Sequence, residues 1–172
     1  MNANWISGAA LAAGLACAAS AQQGLPVKRS EPPASAGVRS RFSSAIWAGD
    51  TLYVAGQMAS PVTPADPARG KPAVYGDMKT QTLSVLTKIQ SLLKEQGLTM
   101  GDVVQMHVFM AGDPAKGGKL DFDGMNEAYD QFFGTPQQPN KPVRAAMQVA
   151  ALVQPWGLVE IEVTAVRSAG PR

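Results

Sequence analysis

Residues 140–166, NKPVRAAMQVAALVQPWGLVEIEVTAV, decide the fold, because both extended runs in this stretch carry charge where a strand should be settling into a core. In the second run, strand parity puts Val159, Ile161, Val163 and Ala165 on one face and Leu158, Glu160, Glu162 and Thr164 on the other. The first set is a natural seat for helices. The first run, over 144–151, splits in the same way: Ala145, Met147, Val149 and Ala151 alternate with Arg144, Ala146, Gln148 and Ala150. A sheet whose second face is small and polar needs solvent, a partner subunit or a ligand against it.

Working upstream, FSSAIWAGDTLYVAGQ (42–57) reads as two short β runs about a Gly49-Asp50 turn. SPVTPADPARGKP is loop by its prolines. From Asp77 the period changes: Met78, Thr82, Val85, Ile89, Leu92 and Leu93 recur every three or four residues, and Gly97 follows as a stop, which predicts an amphipathic helix. DVVQMHVFM (102–110) alternates as a strand. Phe122, Met125, Tyr129, Phe132 and Phe133 predict a second helix, with Asp121 as its cap and Gly134 as its stop. The order β-β-α-β-α-β-β gives an α+β domain, a single sheet with both helices on one face.

Composition bounds the function. The chain has 172 residues, 45% hydrophobic and 16% charged, with a net charge of +2 and 6% aromatics. That suits one domain with its own core and gives no basic, aromatic-lined face for nucleic acid. The only cysteine is Cys17 and the only histidine is His107, so thiol, disulfide and zinc chemistry have no ligand set, and no metal is expected. The first 21 residues contain an uncharged apolar run ending in Ala19-Ser20-Ala21, the pattern of a signal peptide cleaved after Ala21. A lipoprotein acylated at Cys17 is disfavoured, because Gly14 stands where a lipid-attachment box places a Leu-like residue. The expectation is a periplasmic or secreted protein without a stable membrane anchor. Residues 22–41 read as a flexible segment, 42–168 as the domain and 169–172 as a tail.

Arg144 follows Lys141-Pro142-Val143, and the proline fixes the entry into its strand. Ala146 and Ala150 leave room beside the guanidinium, whose planar donors suit a carboxylate. A solvated or ion-paired edge arginine accounts for the same residues. Glu160 likewise reads either as a solvated strand residue or as a carboxylate that orients water. His107 and the Tyr129, Phe132 and Phe133 set read as structural.

FSSAIWAGDTLYVAGQ, LLKEQGLTMGDVVQMHVFM, MNEAYDQFFG, PVRAAMQVAAL and LVEIEVTAV, in this order over 42–167, resemble the reactive intermediate deaminase (Rid, or YjgF) family. The resemblance implies a chorismate-mutase-like fold, a homotrimer with ligand clefts between subunits, and cofactor-free hydrolysis of 2-imino or 2-enamino acids to 2-keto acids and ammonia. It gives Arg144 the place of the arginine that binds the substrate carboxylate and Glu160 that of the glutamate near the attacking water. Asn126 matches an asparagine at the cleft edge, and Gly56 the turn glycine whose backbone approaches the ligand. The chain departs from the family at Phe42, where a tyrosine is common, and at Ala55, where the active subfamily has serine. Both changes delete a hydroxyl from the substrate-binding set. The rival class is therefore a trimeric binder of small carboxylates without turnover.

Overall fold

The computed structural model describes residues 24–32 and 40–168. The leader 1–21, residues 22–23 and 33–39 of the N-terminal segment and the tail 169–172 lie outside these residues. Eight elements form the domain: β1 (Val27–Ser30), β2 (Ala45–Ala48), β3 (Thr51–Met58), α1 (Met78–Glu95), β4 (Val103–Met110), α2 (Phe122–Tyr129), β5 (Val143–Gln148) and β6 (Val159–Val166). The strands make one sheet in the order β1-β2-β3-β6-β4-β5. Neighbours run antiparallel except β4 and β5, which are parallel. This is the expected single sheet with both helices on one face.

α1 forms where the apolar period of 3.6 runs unbroken. The Asp77 side chain caps it by accepting from the Thr80 N–H at 2.9 Å, and Gly97, at φ 73°, ends it in the left-handed region. Its buried face presents Val85, Leu86, Ile89 and Leu93 to Leu52, Val54, Ile161 and Val163 of the sheet. Gln81 is buried on the same face. It bridges three backbone groups, donating to Gly76 O and Trp156 O (3.2 and 3.1 Å) and accepting from Leu158 N (2.9 Å). Leu158 is therefore buried, not on the polar face that parity gave it; β6 begins one residue later and this backbone bond turns the chain inward. Tyr75 and Trp156 stack at 3.5 Å beside the same junction.

α2 is shorter than expected. After Tyr129 the N–H groups of Gln131 and Phe132 bond to carbonyls three residues back, so the chain tightens into turns that end at Gly134. Phe133 is still buried and stacks on Tyr129 at 4.8 Å. Two further differences concern the sheet. The segment read as a flexible lead-in, 22–41, supplies β1, an exposed edge strand whose backbone pairs with β2 despite lacking an apolar pattern. The run over 144–151 stops pairing as a strand at Gln148, although Val149 N still bonds Met110 O at 2.8 Å.

The most consequential correction is the facing of β5. Parity separates its two sets of residues correctly, but assigns the Arg144 set to the wrong side. The register aligns Arg144 with Met106 and Ala146 with Val108, both fully buried beneath the helices. Arg144 and Ala146 therefore face α2. Ala145 and Met147 share the uncovered face with His107, Phe109, Glu160 and Glu162.

Candidate active site

Arg144 sits on edge strand β5 with its side chain against α2. Its guanidinium lies 4.4 Å from the Tyr129 ring centroid and 5.8 Å from that of Phe122, and one of its nitrogens is 3.8 Å from Met125 Sδ. No carboxylate among the described residues pairs with it. The group is half-buried, stacked and unneutralised, so its N–H edge is available to an anion. Burial pushes the Tyr129 phenol above its ordinary pKa, with Arg144 opposing the shift, so the ring beneath the guanidinium stays neutral at physiological pH. Asn126 lies on the same stripe of α2, four residues after Phe122 and three before Tyr129. Ala146, two positions along β5, packs on the core beside Arg144. Thus Arg144 and Ala146 share one face of β5, and Asn126 lies on the α2 stripe whose rings meet Arg144.

Glu160, Gly56 and Ala55 form a second group. Ala55 and Gly56 sit in a bulge of β3, between the pairs Val54–Val163 and Gln57–Ile161. The Glu160 carboxylate packs directly against Gly56, and a Cβ there would collide with it. Gly56 takes no positive φ among the described residues, so space is what its lack of a side chain provides. Ala55 N donates to Ser44 O at 3.0 Å. Phe42, 64% exposed, is apart from them: with Gly56 it lines a groove of about 620 Å³ on the helix side, beside Ala45, Leu52, Val54 and Leu92, and Glu160 is not among its lining residues. The neighbouring hydroxyls are already engaged: Ser43 donates to Glu31 at 3.2 Å and Ser44 to Ser30 O at 3.0 Å.

The two groups do not meet within one chain. Arg144 is on the helix side of the sheet and Glu160 on the uncovered side, with β4 between their strands. Next to Glu160, Glu162 accepts from His107 Nδ1 at 2.8 Å, while His107 Nε2 is 3.0 Å from the Gln105 amide nitrogen. A neutral imidazole protonated at Nδ1 satisfies both contacts, which is the structural role expected of His107. Among the described residues, no three His, Cys, Asp or Glu side chains converge as metal ligands. Reading Tyr129 as a packing residue, and Phe122 only as a mark of the helix period, missed their contact with Arg144. The available signal was the 122/126/129 stripe, which places an aromatic ring on each side of candidate Asn126.

Fold and site together define a YjgF-like α+β protein. A YjgF-family protein from Neisseria meningitidis superposes on 86% of this chain and 100% of its own, with TM-score 0.61 at 22% identity. The Rid-family protein YyfA from Yersinia pestis does so over 83% and 100%, with TM-score 0.59 at 27% identity. The profile of the family described as Endoribonuclease L-PSP matches residues 33–167, and the chain belongs to that family, the YjgF/Rid proteins. Relatives include a RutC family protein of Pyrococcus horikoshii, 36% identical over 73% of this chain and 86% of that one. The 2-iminobutanoate/2-iminopropanoate deaminase of Rattus norvegicus is 33% identical over 82% and 88%.

Proposed function

We propose that this protein is an imine/enamine deaminase that hydrolyses 2-imino or 2-enamino acids to 2-keto acids and ammonia. The observation that carries the reading is Arg144, a half-buried guanidinium with its face on an aromatic ring and no carboxylate partner among the described residues. The relative named as a 2-iminobutanoate/2-iminopropanoate deaminase supports the same chemistry. Arg144 anchors the substrate carboxylate. Glu160, seated on the Gly56 backbone, takes a proton from water as the oxygen adds to the imine carbon. The proton passes to nitrogen to give a carbinolamine. Its hydroxyl proton then moves to the amino group as C=O forms and the C–N bond breaks, and the keto acid and ammonia leave. A 2-enamino acid enters as its imine tautomer.

Because Arg144 and Glu160 lie on opposite sides of one sheet, this reaction needs two copies of the chain. We assign the site to a cleft in a homotrimer, each cleft taking Arg144 from one subunit and Glu160 from the next. The uncovered sheet face, with Tyr53 and Met147 about half exposed, supports such self-association. The leader ending at Ala21 supports export to the periplasm or beyond. Recovery of a chain starting at Gln22 from a periplasmic fraction tests it, and recovery of the intact chain from the cytoplasm alone contradicts it.

The functional test is ammonia release from 2-iminobutanoate generated in situ. Arg144→Ala removes a charge-assisted contact of about 1.5–3 kcal/mol, so KM should rise roughly tenfold to a hundredfold. Wild type that adds nothing to spontaneous hydrolysis contradicts turnover. Phe42 and Ala55, which lack the family hydroxyls, favour a second reading in which the trimer holds keto acids without turnover. Binding of 2-oxobutanoate through Arg144 with no ammonia release would establish it.

A further inference from the structure

We propose that Tyr129, with Phe122 beside it, is a positioning residue that sets the affinity for the substrate carboxylate by holding Arg144 in its binding orientation. The inference rests on the reading of Arg144 as the carboxylate anchor. Every hydrogen-bond and cation–π contact of the guanidinium among the described residues comes from α2: the Phe122 ring, Met125 Sδ and the Tyr129 ring. An arginine on an edge strand otherwise has a long flexible stem, and ordering it on ligand binding costs affinity. A ring occupies the guanidinium's face and leaves its N–H edge free, whereas a carboxylate in the same chain would compete with the ligand. The platform is itself held: Tyr129 is 9% exposed and stacks on Phe133 at 4.8 Å with 24° between the rings. The contact that Tyr129 makes with Arg144 is through the face of its ring.

The test combines 2-oxobutanoate binding by calorimetry with deaminase kinetics in the full-length protein. Tyr129→Leu should weaken 2-oxobutanoate and raise KM about tenfold, with kcat within roughly twofold, because the contact is equally present in ground and transition states. Tyr129→Phe should rescue both values. Phe122→Leu, at a half-exposed ring that the fold does not depend on, should show a smaller loss of about twofold to threefold. In an Arg144→Ala background, Tyr129→Leu should add nothing, and neither variant should change the weak binding of 2-oxobutanamide, which lacks the carboxylate. Unchanged affinity in folded Tyr129→Leu overturns the inference, as does a loss in Tyr129→Phe equal to that in Tyr129→Leu. If Tyr129→Leu does not fold, unchanged affinity in Phe122→Leu together with a loss in Tyr129→Phe overturns it. A wild type that binds 2-oxobutanoate without releasing ammonia removes the deaminase reading and leaves these affinity comparisons deciding the positioning role. A wild type that does neither removes both.

Discussion

At the residue scale, the chemistry depends on where two charged side chains rest. Glu160 rests on Gly56, and a methyl group there meets its carboxylate. Gly56→Ala should therefore lower kcat/KM by at least about tenfold while changing the melting temperature little, since such a collision re-aims the carboxylate without touching the core. Equal loss of activity and stability would show that Gly56 is structural. Restoring Phe42→Tyr and Ala55→Ser should raise kcat/KM by roughly twofold to tenfold each if the new hydroxyls reach substrate or water; no change would show that the site works without them. In the sequence, roles for Arg144, Glu160, Gly56 and Asn126 come from motif order alone. Their residue types alone fit solvated charges and an ordinary helix face equally well. The seat of Arg144 on Tyr129 was not legible, because an aromatic at helical spacing packs a core and can also support a cation.

At the element scale, the helices were the readable part. The period of α1 identifies its core face whatever it packs against. Gln81 breaks that pattern, and only the structure shows why: its amide satisfies three backbone groups where two loops converge on α1. Gln81→Leu strands those groups and should cost about 2–3 kcal/mol, measured as a shift in the urea midpoint at unchanged slope. The facing of β5 was not legible, since alternation divides a strand into two sets without saying which set the register turns toward the helices. Edge strand β1 was hidden because its ladder to β2 is made by backbone groups, which no apolar pattern announces.

Two helix caps contribute to acid sensitivity. Hydrogen bonding from Thr80 lowers the pKa of Asp77, and the Lys116 ammonium, 2.9 Å away, followed by the Gly124 N–H, lowers that of Asp121. A carboxyl with a lower pKa folded than unfolded stabilises fully above its unfolded value, and the contribution is lost as pH falls through the folded value. Stability should thus be insensitive to these caps from pH 7 to about 5 and decline below about pH 4. Asp77→Asn with Asp121→Asn keeps both caps without the titration, so its urea midpoint should fall less steeply below about pH 4. An unchanged acid slope would place the titration elsewhere.

At the scale of the whole molecule, the sheet that unites the fold also divides the site. Its helix side holds Arg144 over Tyr129, and its uncovered side holds Glu160 against Gly56. Sedimentation should find a trimer, and Met147→Glu, which places charge on the uncovered face, should shift it toward monomer and abolish turnover together. The most direct measurement mixes two variants of low kcat/KM, assayed at substrate well below the wild-type KM. Arg144→Ala retains Glu160, and Glu160→Gln retains Arg144. After subunit exchange at equal concentrations, about a quarter of the clefts in a head-to-tail ring should carry both native groups. The account predicts that deaminase activity of the mixture returns to about a quarter of wild type. A mixture that exchanges subunits yet stays no more active than its two components, with wild type active, would contradict a site shared between copies.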